Sequence, residues 1–355
     1  MRRVHEIAFY TPTKGLDGTN RSGERRIVET TLDLLRRAGF TPHIPTRLVT
    51  LDKQGDAEVQ RALFAEASAE AARIIDTLRG APPALWWSYH SYYKCPDLVG
   101  PVVCAELGIP YVLQQPTLNP KHLDGPWSPF ARASKVAHDR ASQLLWSTER
   151  DLPALIAAGY ADKLLGLRPV IEPGPVPALR PAHSPLRLLT VAMMPAGDKL
   201  ESYRRLAAAL AYVRQDWRLR IVGDGPARAE VEALFRPFGE RVAFTGQLDP
   251  GGVAKAYEDA DLMVWPGVGE GVGMVYLEAQ AAGLPVIAED HPAQRDLVEG
   301  PLAATQDPAA FARLLEDAAH DRVRRARAAR ARIEDRHTPD VVAPELRIAL
   351  LSLLT

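Results

Sequence analysis

Two glutamates, Glu270 and Glu278, stand with seven residues between them in the stretch Asp261–Asp290, DLMVWPGVGEGVGMVYLEAQAAGLPVIAED. On one continuous helix, eight steps of ~100° leave them about 80° apart and ~12 Å along the axis, too far to share a small ligand. The stretch reads differently. A strand ends at Trp265-Pro266, a glycine-rich loop follows, and a helix begins near Met274 and stops at Gly283-Leu284-Pro285. With Glu270 in the loop and Glu278 in the second helical turn, both carboxylates can line one elongated site.

The chemistry of that arrangement follows from its parts. Gly271-Val272-Gly273 lets the backbone come close to a ligand, and the helix start offers unpaired N–H groups with partial positive charge. An anion or an oxygen-rich group is the natural occupant. An ionised carboxylate only accepts, so it pairs best with hydroxyl donors, which a sugar or a ribose supplies in vicinal pairs. Each such charge-assisted bond contributes roughly 1.5–3 kcal/mol when buried. A nucleotide sugar suits the set.

These residues resemble the E-x7-E signature of retaining GT-B glycosyltransferases, the large family-4 group. The likeness runs through the second half of the chain: Val222-Gly223-Asp224-Gly225-Pro226 resembles the family's strand-to-helix turn beside the nucleotide, and Phe244-Thr245-Gly246-Gln247-Leu248 its base-contacting loop. Ala281-Ala282-Gly283-Leu284-Pro285-Val286 resembles its helix stop. The resemblance implies that Glu270 holds donor-sugar hydroxyls and Glu278 the ribose. Gly271, Val272 and Gly273 would face the sugar and diphosphate, with Gly223, Gln247 and Leu248 around the nucleotide. Gly223-x-Gly225 after a strand also matches part of a dinucleotide fingerprint, but Arg228 occupies its third glycine position, and no Walker-A sequence is present.

One departure stands out. The family carries an arginine at the end of the preceding strand and a lysine shortly after, both neutralising the donor diphosphate. Here Val191–Lys199 reads VAMMPAGDK, so Lys199 fits the lysine with one residue of slippage and Met193 stands in the arginine's place. Fewer cations should weaken stabilisation of the leaving group. In the first half, Thr11–Arg26 leads through Ser22-Gly23-Glu24 into an amphipathic helix and resembles the family's glycine-bearing loop facing the diphosphate, which singles out Gly23. On the residues alone, Ser22 is equally a helix N-cap. The aromatic run Trp86–Lys94 contains His90, where the family has a histidine beside the reacting sugar. Read without the family, His90 is equally a satisfied structural histidine. Tyr92, Tyr93 and Lys94 either form an acceptor platform or pack beneath one.

The elements that must position these residues alternate strand and helix throughout. Expected strands are Ile7–Tyr10, Leu85–Tyr89, Tyr111–Gln114, Leu144–Ser147, Leu188–Ala192, Leu219–Val222, Val242–Phe244, Leu262–Trp265 and Val286–Ala288. Several are unbroken apolar runs, as strands covered on both faces are. The pattern predicts α/β architecture, with two Rossmann-like, doubly wound domains facing each other across a cleft (the GT-B arrangement). Six prolines in Arg168–Pro185 mark a stiff linker over 171–185, between an acceptor-side domain at 1–170 and a nucleotide-sugar-binding domain at 186–335. A closing helix at about 340–355 is expected to pack back on the first domain. The six arginines of Asp321–Arg332 spread around a helical wheel, which predicts an exposed helix and not a nucleic-acid stripe.

The apolar fraction of 46% and charged fraction of 25% are those of a soluble globular protein. The 355 residues are enough for two domains, and the net charge of −1 calls for no nucleic-acid partner. Met1–Glu6 runs directly into a strand-like segment, so no secretory signal is expected; no window is long and apolar enough to span a bilayer, and Cys95 and Cys104 make neither a disulfide framework nor a zinc set. A cytoplasmic setting is expected, with peripheral contact at the inner membrane face as the family often has. No metal or cofactor is expected, the nucleotide sugar (UDP- or GDP-linked) being substrate. The acceptor would be a glycan, a lipid-linked glycan or a small molecule. The expected activity is hexosyl transfer with retention. The rival is a nucleotide-sugar-binding protein with reduced or lost catalysis, for which Met193 is the motive; an epimerase or phosphorylase of similar architecture is a third reading.

Overall fold

The computed structural model describes residues 3–13, 23–175 and 179–354. Ser22, with its expected capping role, lies outside them. The chain divides into two units, residues 1–170 with 339–355 and residues 171–338.

Unit 1 runs β1 (Arg3–Tyr10), α1 (Gly23–Arg37), β2 (Thr41–His43), α2 (Ala57–Leu78), β3 (Pro83–Tyr89), α3 (Gly100–Leu107), β4 (Tyr111–Gln114), α4 (Ser128–Arg140), β5 (Gln143–Trp146), α5 (Leu152–Ala157) and β6 (Leu164–Gly166). Its strands form one parallel sheet in the order β2-β1-β3-β4-β5-β6. Every residue of β3 is buried, which is why PALWWSY shows no polar alternation. The core gathers Tyr10, Trp86, Tyr111 and Leu144 from the sheet with Ala71, Ile74 and Val103 from α2 and α3. Within it, Asp97 accepts hydrogen bonds from Ser88 Oγ, from the Tyr111 hydroxyl at 2.9 Å and from the amides of Val99 and Gly100 at 2.9 and 2.7 Å. These bonds fix the turn that follows β3.

Unit 2 runs β7 (Leu186–Val191), α6 (Asp198–Leu210), β8 (Trp217–Val222), α7 (Arg228–Phe235), β9 (Val242–Gly246), α8 (Pro250–Asp259), β10 (Leu262–Val264), α9 (Met274–Ala281), β11 (Val286–Ile287), α10 (Pro292–Leu297), α11 (Pro308–His320) and α12 (Arg322–Arg336). Its parallel sheet has the order β11-β10-β7-β8-β9. The chain then closes with α13 (Pro339–Ser352). That helix is held to α1 of unit 1 by Arg37 on Asp340 at 3.1 Å and by Arg347 on the Ala38 carbonyl at 2.8 Å. Among the described residues no helix is long and apolar enough to cross a membrane, and no group of three or more His, Cys, Asp or Glu could hold a metal ion.

Each sheet is doubly wound, as the alternation predicted, and all nine expected strands are present. Two more were not expected. β2 and β6 are three-residue edge strands too short to show a periodic signal. The proline-rich segment is also more than a spacer: Arg180 bonds the carboxylate of Asp261, and the His183 amide donates to it at 3.1 Å.

The arginine-rich helix corrects another expectation. Of its arginines, Arg322 and Arg330 are buried. Arg322 donates to the carbonyls of Asp261 and Arg180 at 3.2 and 2.6 Å, and Arg330 to that of Gly174 at 2.9 Å and to that of Ala281, the last residue of α9. A guanidinium offers five donors to the carbonyls that a helix end leaves unpaired. The even spread around the wheel reflects partners on several sides, not exposure on all of them.

Candidate functional site

In unit 2 the strand order reverses between β7 and β10. After β9 the chain returns to the other side of β7, and open parallel sheets bind ligands beyond the carboxyl ends of strands at such a point. The segment after β7 leads into α6 and the one after β10 into α9. Lys199, in the first turn of α6, and Glu270, in the loop after β10, meet there directly: Lys199 Nζ donates to Glu270 Oε1. The Glu270 side chain is 9% exposed and that of Lys199 26%. The same Oε1 accepts from the Trp265 indole N–H at 2.9 Å, and the Lys199 ammonium lies 5.5 Å from the centre of the Trp265 ring. The loop is tied to α6 a second time, by the Val268 amide donating to Ser202 Oγ at 2.9 Å.

Gly271, Val272 and Gly273 link Glu270 to α9. Gly273 adopts the left-handed conformation (φ 58°, ψ 53°) at the helix start, and no side chain caps that end. The positive end of the helix dipole is therefore presented beside Glu270. Glu278, one turn further on, is half-buried and its Oε2 accepts from the Tyr257 hydroxyl of α8 at 3.1 Å. α6 likewise starts without a side-chain cap.

The ends of β7, β8 and β9 are knitted together. The Gly223 amide donates to the Gly246 carbonyl at 2.9 Å, and the Ala192 and Met194 amides to the carbonyls of Val222 and Asp224 at 3.0 Å. A Cβ on Gly223, at φ +137°, would meet the Ala192 carbonyl oxygen at 1.9 Å, so only glycine fits this approach. Gln247 is exposed and Leu248 half-buried just past β9. Met193 is 54% exposed. Arg205 and Arg228, on α6 and α7, are both committed: Arg205 to Glu289 at 2.6 Å and Glu201 at 3.0 Å, Arg228 to Asp224 at 2.8 Å and Glu232 at 2.7 Å.

In unit 1 the order reverses between β1 and β3. His90 follows β3 with φ +57°, stacks on Tyr92 with centroids 4.8 Å apart and has Nδ1 3.6 Å from Glu24 Oε1. Gly23 is the exposed first residue of α1, with open space around it. Gly23 and His90 are thus brought to one place, through Glu24. Tyr93 is no bare platform. Its ring stacks on His122 at 3.6 Å and meets the edge of Trp127 at 5.7 Å, while Lys94 lies over both Tyr93 and Trp127.

Within unit 2 the structure therefore joins Lys199, Glu270 and the 271–273 loop, with Glu278 on the helix that the loop starts. Trp265 and Tyr257 hold the two carboxylates, and neither role was expected. In the sequence Trp265 marks only the end of a strand. The Tyr257 bond joins residues 21 apart and leaves no local sequence signal; the His122 and Trp127 contacts are just as non-local.

Residues 185–321 match the family described as Glycosyl transferases group 1. Among curated relatives, the 2-deoxystreptamine glucosyltransferase of Streptomyces kanamyceticus is 27% identical over 218 residues, 54% of this chain and 55% of that protein. The phosphatidyl-myo-inositol mannosyltransferase of Mycobacterium leprae is 37% identical over 141 residues, 37% of each chain. A GDP-mannose-dependent alpha-mannosyltransferase of Mycolicibacterium smegmatis is 40% identical over 94 residues, 26% of this chain and 24% of that one. The chain spans 55% or less of the length of each of these relatives. Two solved structures are similar over nearly the whole chain. The apo lipopolysaccharide outer core galactosyltransferase WaaB has a TM-score of 0.74 at 17% identity, covering 98% of this chain and 99% of its own. Anabaena HepE in complex with UDP and glucose has a TM-score of 0.68 at 16% identity, covering 98% and 100%. The fold is that of GT-B glycosyltransferases, and the unit that carries Lys199, Glu270 and Glu278 is the one that matches the group 1 family.

Proposed function

We propose that this protein is a retaining glycosyltransferase of the family-4 type, moving a hexosyl group from a UDP- or GDP-linked donor to an acceptor hydroxyl. The observation that carries the reading is the meeting of Lys199 with Glu270 at the β7–β10 reversal, beside the uncapped start of the helix that holds Glu278. That set matches, group by group, what a nucleotide sugar presents. The diphosphate takes the ammonium and the loop amides. The sugar hydroxyls take Glu270 and the ribose diol takes Glu278.

In the reaction the bond between the sugar C1 and the diphosphate oxygen breaks, and a bond from C1 to the acceptor oxygen forms on the same face. The acceptor proton passes to the departing phosphate, so the nucleoside diphosphate leaves carrying it. Lys199 and the 271–273 amides stabilise the charge that builds on the leaving group, an electrostatic contribution aimed at the transition state. No resident metal or cofactor is needed for this step. His90 enters through the resemblance alone, as the histidine beside the reacting sugar, and Gly23 as the glycine facing the diphosphate. The family's habit of working at the cytoplasmic membrane surface suits a glycan or lipid-linked acceptor, and a small-molecule acceptor suits the deoxystreptamine glucosyltransferase relative.

A second reading, nucleotide-sugar binding with reduced catalysis, is favoured by one observation. Met193 stands exposed where the family has an arginine, and Arg205 and Arg228 are engaged elsewhere. Calorimetry with UDP-, GDP-, ADP- and TDP-sugars tests the donor site. One base should bind selectively, and Glu278→Ala should cost about tenfold or more in affinity, the size of a lost charge-assisted bond. If none of these sugars binds, both readings fall. NMR of the product then reads the anomeric configuration, and an inverted linkage would refute retention. Donor binding with no transfer across an acceptor panel would favour the second reading.

A further inference from the structure

Glu270 Oε1 accepts from two donors of different kinds. One is the Lys199 ammonium, on a flexible stem and partly open to solvent. The other is the indole N–H of Trp265, at 2.9 Å. The Trp265 side chain is completely buried. Its ring is fixed by an edge contact with Tyr203 at 4.9 Å between centroids, and the Tyr203 hydroxyl is itself anchored on the Ala192 carbonyl at 2.9 Å. The indole N–H only donates and does not titrate, so its bond to the carboxylate persists whatever the ammonium does.

We propose that Trp265 is a positioning residue that holds the Glu270 carboxylate in place while Lys199 exchanges it for the donor's diphosphate. The inference rests on the donor-site reading above and adds to it an order of events at that site. Lys199 is paired with Glu270 and stands over the face of the Trp265 ring. An arriving diphosphate competes for the ammonium. Glu270 then loses one of its two donors at the moment it must accept from sugar hydroxyls. A carboxylate on a glycine-flanked loop would be free to turn. The bond to a buried, wedged indole prevents that and leaves the remaining lone pairs for the sugar. Trp265 thereby separates two tasks, anion capture by Lys199 and sugar orientation by Glu270.

The test compares dissociation constants of UDP with UDP-glucose and of GDP with GDP-mannose, by calorimetry, in wild type and two variants. Trp265→Phe keeps the ring bulk and removes the N–H. The ratio of the nucleotide-sugar constant to the diphosphate constant should rise about tenfold, the loss expected for one hydrogen bond to a charged group. A purely structural role for Trp265 would weaken both ligands together and leave the ratio unchanged. Lys199→Met should weaken both ligands about tenfold and keep the ratio within about threefold of wild type, because the indole alone still holds Glu270. The inference is overturned if Trp265→Phe leaves the ratio at its wild-type value, or if Lys199→Met raises it as far as Trp265→Phe is expected to. Should Trp265→Phe fail to fold, the Lys199→Met ratio decides alone. If neither diphosphates nor nucleotide sugars bind the wild type, the donor-site reading falls as well. A wild type that binds both, with a ratio insensitive to Trp265, removes only the positioning role.

Discussion

The two units share a sheet plan and differ in what stands where the plan reverses. In unit 2 the β7–β10 reversal holds opposite charges, Lys199 against Glu270, within a loop-and-helix frame where Gly223 admits no side chain. In unit 1 the β1–β3 reversal holds rings: His90 on Tyr92, with Tyr93, His122 and Trp127 packed alongside. Charges aimed at a fixed anion tolerate little variation in geometry, since their effect depends on donor placement. Aromatic faces tolerate much more. The family match covers residues 185–321 and so falls in the charged unit.

The largest test of this contrast is Glu270→Ala. It leaves Lys199 without its carboxylate and should lower kcat/KM about a thousandfold, measured as donor turnover with the nucleotide sugar that calorimetry selects. A loss below tenfold would move the chemistry away from the charged reversal. Next in size is a pH effect confined to unit 1. Burial pulls the His138 imidazole down to about 4, with Nδ1 at 2.7 Å from the Ser134 carbonyl and Nε2 without a partner among the described residues. Between about pH 6.5 and 4 the unfolded chain binds a proton at this residue that the folded chain refuses. Stability is then full above the unfolded value and falls with acidification through that window, by about 3 kcal/mol. Melting curves should show this slope, and His138→Phe should flatten it; an unchanged slope would place the acid sensitivity elsewhere. Smallest is His90→Ala, expected to lower turnover about tenfold while leaving the affinity for the nucleoside diphosphate unchanged. An equal loss in that affinity would show that the aromatic unit also governs the anion.

How much was legible in the sequence follows the same division. The stretch from Trp265 to Gly283 could be read because strand end, glycine loop, helix and stop follow one another within about twenty residues, and each has a local signature. The doubly wound sheets were legible for the same reason, their long buried strands being unbroken apolar runs such as β3. What escaped needed packing to exist. The bond from Tyr257 to Glu278 and the ring of His122 on Tyr93 join residues that periodicity does not connect. Trp265 is only five residues from Glu270, yet its N–H points at the carboxylate because the loop folds back, which spacing does not reveal. The arginines of α12 misled because a helical wheel records angular spread and not the carbonyls waiting on neighbouring elements.

Those arginines set where the second unit can be cut. Arg180 and His183 lie ahead of β7, yet they bond Asp261, whose side chain is fully buried at the start of β10. Arg330 reaches both Gly174, within the proline-rich segment, and Ala281, at the end of the helix that carries Glu278. A fragment or chimera starting at residue 186 would leave Asp261 with the Arg187 amide and Arg322 but without Arg180 and His183, and would leave Arg330 without the Gly174 carbonyl, a loss of about 1–3 kcal/mol. The piece that keeps these bonds is 171–338, so any exchange of the second unit should carry the proline-rich segment along with the sheet it precedes.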